Sequence, residues 1–514
     1  MNGRYAAGAG MPFLLAATLA LPVSAQDPAA ARQAAVTITP ALIRQHVSVL
    51  ADDSMRGRRT PSPELELATQ YAASQFRRIG LRPGGDGHSY FQRWQVDQVQ
   101  VIADSAALWA TGTPPMRWTY GVDYAPHPFN DFADWTAQGS AVLLVGSLGG
   151  RVSFDTASLR GRVLVVPLTA AGFGPNFGRI VSWQPAAVLR VVDVPDSIIA
   201  QLASEATRPK TKVPGAGTAR PPMLVVTDRA AQPLIARGGV DLAELRRAPT
   251  DTALRAIPLG DAVMHVRLRT RPLVHQDPAN VIAILEGADP VLRSEYVVYT
   301  AHLDHLGVGN PVGGDSIYNG ADDNASGAAA VLAVAQAFAR LPSPPRRSVM
   351  FVLVTGEEGL GGGGSVFFLN HPPVPVPAMV VDLNADMVGR NWRDTVVVLG
   401  RRDSDLGHTV DRVTATFPEL GLAVIDSSTR PGDAADFYGW SDHGAFIQRA
   451  IPFLYFYSGM HADYHGPGDS PDRIDVEKLA RISRLMFYIG VSVANADTRP
   501  QWDPDRYARL APRR

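Results

Sequence analysis

Five short apolar runs in the second half of the chain constrain its fold more than any other feature. They are Val281–Leu285, Tyr296–Thr300, Val349–Val354, Met379–Leu383 and Phe453–Tyr457. None shows the polar alternation of a half-exposed strand, which suits strands buried on both faces of a mixed or parallel sheet. Helical segments separate or follow them. Ser326 to Arg340 is Ala-rich and ends at Leu341-Pro342, and Val476 to Val493 gives a last amphipathic helix. The alternation predicts an α/β fold over residues 275–495: a mixed, mostly parallel central sheet flanked by helices.

At 514 residues the chain exceeds one ordinary domain. Residues 36–109 read as an N-terminal part of the same α/β unit. Thr39 to Leu50 is helical, and Met55-Arg56-Gly57-Arg58 is a polar turn. Pro63 opens a second helix that sets Ala68, Tyr71, Ala72, Phe76 and Ile79 on one face before Gly80 stops it. Residues 110–265 change texture. Ala141–Val145, Arg162–Val166, Ala187–Val192 and Met223–Thr227 are β-rich runs joined by Pro- and Gly-rich connections such as Pro209 to Pro222. This predicts a β-rich inserted domain, and no His clusters with carboxylates in it. Residues 496–514 are expected to be a polar, loosely held tail.

The first 25 residues read as an export signal. Arg4 supplies a positive start, Met11 to Val23 is a short apolar run, and Val23-Ser24-Ala25 fits a small-residue cleavage site. The run is too short to span a bilayer comfortably, so a mature chain is expected to start near Gln26, in a bacterial periplasm or secreted to the medium, with no membrane contact after cleavage. There is no cysteine, so disulfides and thiolate ligands are excluded and any metal must take His, Asp or Glu. A formal net charge of -1 without a basic, aromatic-interleaved run excludes a general nucleic-acid partner.

The chemistry gathers behind the apolar runs. His302 follows Tyr296–Thr300, and Asp323 precedes the Ala-rich helix. Glu357 and Glu358 follow Val349–Val354, Asp386 follows Met379–Leu383, and His465 follows Phe453–Tyr457. In open α/β sheets, sites form at the carboxyl ends of strands. Two adjacent carboxylates straight after an apolar strand are costly unless a cation holds them. An isolated strand-end His is usually structural, and Asp322-Asp323 alone could cap a helix. Five segments delivering such residues to one edge point instead to a metal centre.

The stretches Ala301-His302-Leu303-Asp304, Asn319 to Gly327, Thr355-Gly356-Glu357-Glu358-Gly359-Leu360-Gly361, Asn384-Ala385-Asp386-Met387 and Tyr464-His465 resemble the M28 family of co-catalytic zinc peptidases. The resemblance covers residues 275–495, and residues 40–95 also look like the family's N-terminal part. It implies a zinc-peptidase, phosphorylase-like fold and two Zn²⁺, with Co²⁺ or Mn²⁺ as other fillings. Asp323 would bridge the ions, His302 and Asp386 would complete one site, and Glu358 and His465 the other. Glu357 would be general base and acid, and Asp304 would hold His302. The resemblance also implies a cis peptide between Asp323 and Asn324. Leu159 to Val165 and Val181 to Val192 resemble, more weakly, a protease-associated domain.

The resemblance implies peptide substrates and an aminopeptidase, and it leaves the oligomeric state open. Alternatives are a glutamate-carboxypeptidase-like enzyme, with Arg390 and Arg393 as candidate anchors for a substrate carboxylate, a metal-free receptor of the same fold, and a single-metal glutaminyl cyclase. The filled ligand set disfavours the last two. Ser441-Asp442-His443 is read as a structural turn, since neighbouring side chains do not readily form a triad. The run Gly361 to Gly364 lacks the Lys-Ser/Thr ending of a phosphate loop. Tyr438 falls where aminopeptidase relatives carry a Tyr that stabilises an oxyanion, and Asp463 and Asp469 flank His465 as candidate supports.

Overall fold

The computed structural model describes residues 27–128, 130, 133–148, 151–167, 177–213, 221–247, 253–426 and 437–510. The expected export signal lies outside the described residues. All five apolar runs are strands, extended by a residue or two at some ends: Ala279–Leu285, Tyr296–His302, Ser348–Val354, Met379–Ala385 and Phe453–Tyr457. Every residue of Ser348–Val354 and of Met379–Ala385 is buried, which explains why their sequences show no polar alternation.

The central sheet is mixed. Ser348–Val354, Tyr296–His302, Met379–Ala385 and Phe453–Tyr457 lie side by side and mutually parallel. Ala279–Leu285 and Thr395–Leu399 flank this block antiparallel. The short strand Phe91–Arg93 pairs antiparallel with Ala279–Leu285, Arg93 opposite Ala279. Four parallel strands end on one edge, so the residues that follow them converge.

One face of the sheet is covered by the helix Gly327–Phe338, buried almost all round, with Pro40–Leu50 and Val476–Asn495 packed over it. Small Ala side chains let this helix sit close to the sheet, and the aromatic residues fill the gaps. Tyr299 stacks on Phe351 at 5.4 Å between ring centroids, and Phe338 meets Phe487 edge-on at 4.9 Å. Burying each such side chain stabilises the fold by about 1.5–3 kcal/mol.

Residues 107–268 build a second, eight-stranded sheet, with Arg255–Leu268 its longest strand. The β-rich reading holds for its strands, but helices Asp196–Ala206 and Asp228–Ile235 pack on them. Lys210–Lys212, Val96–Val101 and Thr270–Gln276 pair in that order as a separate three-stranded sheet.

Arg58, at the end of the expected polar turn, is completely buried. One expectation is corrected: the tail is not loose over its first part. Trp502 Nε1 donates to the Ala450 carbonyl at 2.8 Å, Asp503 N–H donates to the Asp403 carbonyl, and Pro504–Leu510 is helical. No helix among the described residues is long and apolar enough to cross a membrane.

Candidate metal centre

The strand ends deliver the acids and imidazoles to one place. His302, the last residue of its strand, sets Nε2 3.3 Å from Asp323 Oδ1 and 3.3 Å from Asp386 Oδ1. His465 sets Nε2 3.2 Å from Asp323 Oδ2 and 3.2 Å from Glu358 Oε1. Asp323 thus turns one oxygen to each half of the cluster. His302, Asp323, Glu358, Asp386 and His465 come together as the sequence predicts. The peptide Asp323–Asn324 is cis, also as expected.

Supporting contacts hold the donors. Asp469 is buried and accepts the backbone N–H groups of Asp322 and Asp323 at 2.9–3.0 Å. Asn324 Nδ2 donates to the Ala385 carbonyl, tying the Asp323 loop to the strand that leads to Asp386. His302 Nδ1 faces the backbone carbonyl of Asp304 at 3.2 Å, not its carboxylate. The Asp304 carboxylate accepts instead from the Thr60 hydroxyl at 2.9 Å and from the Glu357 N–H at 3.3 Å. The turn into Glu357 closes on Trp94, whose Nε1 donates to Thr355 Oγ1. Gly356 has φ +77°, and a Cβ there would stand 2.6 Å from the Trp94 ring, so no larger residue fits without displacement.

Arg58 and His305 are functional candidates that the sequence reading passes over. Arg58 donates to the carbonyls of Leu50, Leu303, Asn319 and Gly320, so one guanidinium joins the strand end of His302 to the loop of Asp323. Burial pulls it down to about 10, while Asp304, Asp469, Asp323 and Glu358 pull it back up. It therefore remains a cation beneath the acids at neutral pH. His305 is buried and sets Nδ1 3.1 Å from Glu358 Oε1. A third imidazole three residues after His302, on the same strand-end loop, was the available sequence signal.

The electrostatics are those of crowded acids. Burial pushes Glu357 well above the ordinary carboxylate range, opposed by His302 and reinforced by Asp442, Glu358 and Asp386. Burial also raises Asp442 to about 7 and Asp304 to about 6. Burial acts the same way on Asp323, but its contacts with His302 and His465 outweigh it and hold Asp323 well below the usual range. Burial lowers His465, yet its contacts with Asp323 and Glu358 lift it to about 10. A cluster of this kind is costly unless cations compensate it. The donors are carboxylate oxygens and imidazole nitrogens without thiolate, and two groups, His302–Asp323–Asp386 and His305–Asp323–Glu358, each keep their donor atoms within 4.8 Å of one another. That set fits divalent ions of the Zn²⁺ class.

Residues 280–490 match the model of peptidase family M28. The matched segment contains His302, Asp323, Glu357, Glu358, Asp386 and His465. Aminopeptidase YwaD of Bacillus subtilis (strain 168) is 24% identical over 242 residues, covering 46% of this chain and 49% of its own length. Leupeptin-inactivating enzyme 1 of Streptomyces exfoliatus is 32% identical over 186 residues, 36% of each chain. The chain thus spans about half or less of the length of these curated relatives. The solved aminopeptidase from Aneurinibacillus sp. strain AM-1 superposes with a TM-score of 0.52 at 17% identity, over 92% of this chain and 97% of that one. This likeness is one of fold.

The other candidates resolve differently. Tyr438 donates its hydroxyl to Asp403 Oδ2 at 3.0 Å. His443 is buried, faces Asn384 Nδ2 at 3.3 Å and stacks on Tyr455 at 4.3 Å, so Ser441-Asp442-His443 is a packed turn. Arg390 pairs with Asp463 at 2.8 Å, and Arg393 is exposed. A pocket opens onto Asp323, Glu357, Glu358 and Asp386, with Met387, Trp440, Tyr455, Tyr457, Met460 and Tyr464 around it.

Proposed function

We propose that the chain is an exported, dinuclear zinc aminopeptidase. The observation that supports this reading best is the convergence of His302, Asp323, Asp386, Glu358 and His465 at 3.2–3.3 Å spacings beside a carboxylate, Glu357, that is not in the ligand set. His302 and Asp386 would hold one ion and Glu358 and His465 the other, with Asp323 between them. When bound, the ions supply Lewis acidity and acidify water. Glu357 takes the proton of the attacking water and returns it to the leaving amine. The Asp304 carboxylate, anchored by Thr60, holds the Glu357 backbone for that task. Arg58 fixes the two loops on which His302 and Asp323 stand.

The pocket wall of Met and aromatic residues favours an apolar N-terminal side chain, such as Leu, Phe or Met. The carboxypeptidase alternative needs a free cation for the substrate carboxylate, and Arg390 is engaged by Asp463. Residues 110–265 would be a protease-associated-type insert, and export would leave a chain beginning near Gln26, which N-terminal sequencing of the secreted product tests. The activity is tested with a panel of free-amine and N-blocked aminoacyl anilides, with and without chelator. Cleavage of free-amine substrates alone, abolished by chelation and restored by Zn²⁺, is expected. Cleavage only of blocked peptides with C-terminal Glu would reverse the assignment.

A further inference from the structure

We propose that His305 is a direct ligand of the second ion, through Nδ1, in addition to Asp323, Glu358 and His465. The proposal rests on the dinuclear reading above and extends it by one residue.

His305 follows the strand end of His302 by three residues and is fully buried. Its backbone N–H donates to the Arg58 carbonyl, so the buried arginine that holds the Asp323 loop also holds this residue. Nδ1 stands 3.1 Å from Glu358 Oε1 and 3.8 Å from Asp323 Oδ2. These are the same two oxygens that His465 Nε2 faces. A supporting hydrogen bond to a ligating carboxylate normally approaches one oxygen from outside the site. Here one ring nitrogen faces both oxygens, which belong to two different acids. The opposite nitrogen, Nε2, is buried and has no hydrogen-bond partner, so the ring's polar contacts lie on the Nδ1 side.

The sign of the charge decides the role. Without an ion, Nδ1 can donate its N–H to the Glu358 carboxylate. With a dication held by the two oxygens, that N–H would be repelled and a lone pair at Nδ1 attracted, with the ring proton on Nε2. The fold leaves room for the ring: Gly320 has φ +60°, and a Cβ at that residue would lie 2.4 Å from His305 Cγ. The second ion would then have four protein residues around it and the first only three, His302, Asp323 and Asp386. Catalytic sites keep a position open and structural sites are closed by protein. The open position therefore belongs mainly to the first ion, and the second is the more firmly held.

Nitrogen NMR of the full chain, labelled with ¹⁵N in its histidine rings and titrated with Zn²⁺, tests this without a variant. His302 and His465 offer Nε2, so one imidazole bound through Nδ1 is the signature of His305. Metal-bound resonances of the Nε2 kind alone would overturn the proposal. A second measurement follows metal retention during dialysis against a chelator. The wild type is expected to keep one of two ions longer, and His305→Gln is expected to bind that ion at least ~10-fold more weakly. Unchanged retention in His305→Gln would overturn the proposal while leaving the dinuclear reading intact. A wild type that never holds two ions would remove that reading itself.

Discussion

Asp469 accepts the backbone N–H of Asp323 at 3.0 Å, so a residue four places beyond one proposed ligand fixes the loop of another. Its second contact, with the N–H of Asp322, uses both oxygens. Asp469→Asn replaces one acceptor by a donor facing an N–H. Metal affinity is expected to fall 10- to 100-fold, roughly the loss seen when a residue supporting a ligand is changed. Chelator competition measures it, and unaltered affinity would show that the loop does not need this acid.

Glu357 is the proposed proton carrier. Glu357→Ala is expected to bind both ions as the wild type does and to lose turnover by about 10²- to 10⁴-fold. Elemental analysis alongside steady-state rates checks the pair of outcomes. Near-normal turnover with full metal content would remove Glu357 from the mechanism.

Arg58 carries four carbonyl contacts in a fully buried position. Arg58→Met removes this donor from all four, and while the Gly320 carbonyl keeps the Ala325 N–H, each carbonyl left unpaired costs roughly 1–3 kcal/mol before relaxation. A net loss of about 3–5 kcal/mol is expected in urea unfolding. Arg58→Lys recovers only part of it, because one ammonium cannot reach all four acceptors. A loss below ~1 kcal/mol in the Met variant contradicts the clamp.

Asp442 gives a pH signature in the metal-free protein. Burial raises it from 3.8 to about 7. The folded chain then holds a proton that the unfolded chain has released, and folding is progressively disfavoured as pH rises from about 4 to 7. Asp442→Asn removes this penalty. The variant's melting temperature, relative to wild type, is expected to climb across that window and level off above it. A difference that stays flat from pH 4 to 8 would mean that the group ionises normally in the fold.

The sheet was legible because its strands are buried on both faces, which writes them as unbroken apolar runs. The ligand edge was legible because each run is followed within a few residues by an acid or imidazole. Arg58 was not, since its partners are main-chain carbonyls, which leave no mark in a sequence. His305 was hidden beside a stronger signal at His302. That Asp304 meets His302 through its carbonyl was not legible either, since only three-dimensional geometry distinguishes a carboxylate from the carbonyl of the same residue. The docking of the tail rests on Trp502, whose indole anchors a segment that otherwise reads as polar and free. Tyr438 rests on the resemblance alone, and its hydroxyl is engaged by Asp403.

Arg93 and Ala279 are opposite one another on neighbouring strands. The chain leaves the central sheet and comes back to it within a single rung of the ladder, however much polypeptide is spun out between. Residues 95–277, between Trp94 and Pro278 whose backbones still bond across the gap, therefore form a detour with no net displacement, and a turn of a few residues could close the same gap. Such an attachment can be lengthened, exchanged or trimmed without moving a strand, which leaves accessory architecture free to diverge while the sheet that carries the acids and imidazoles stays put.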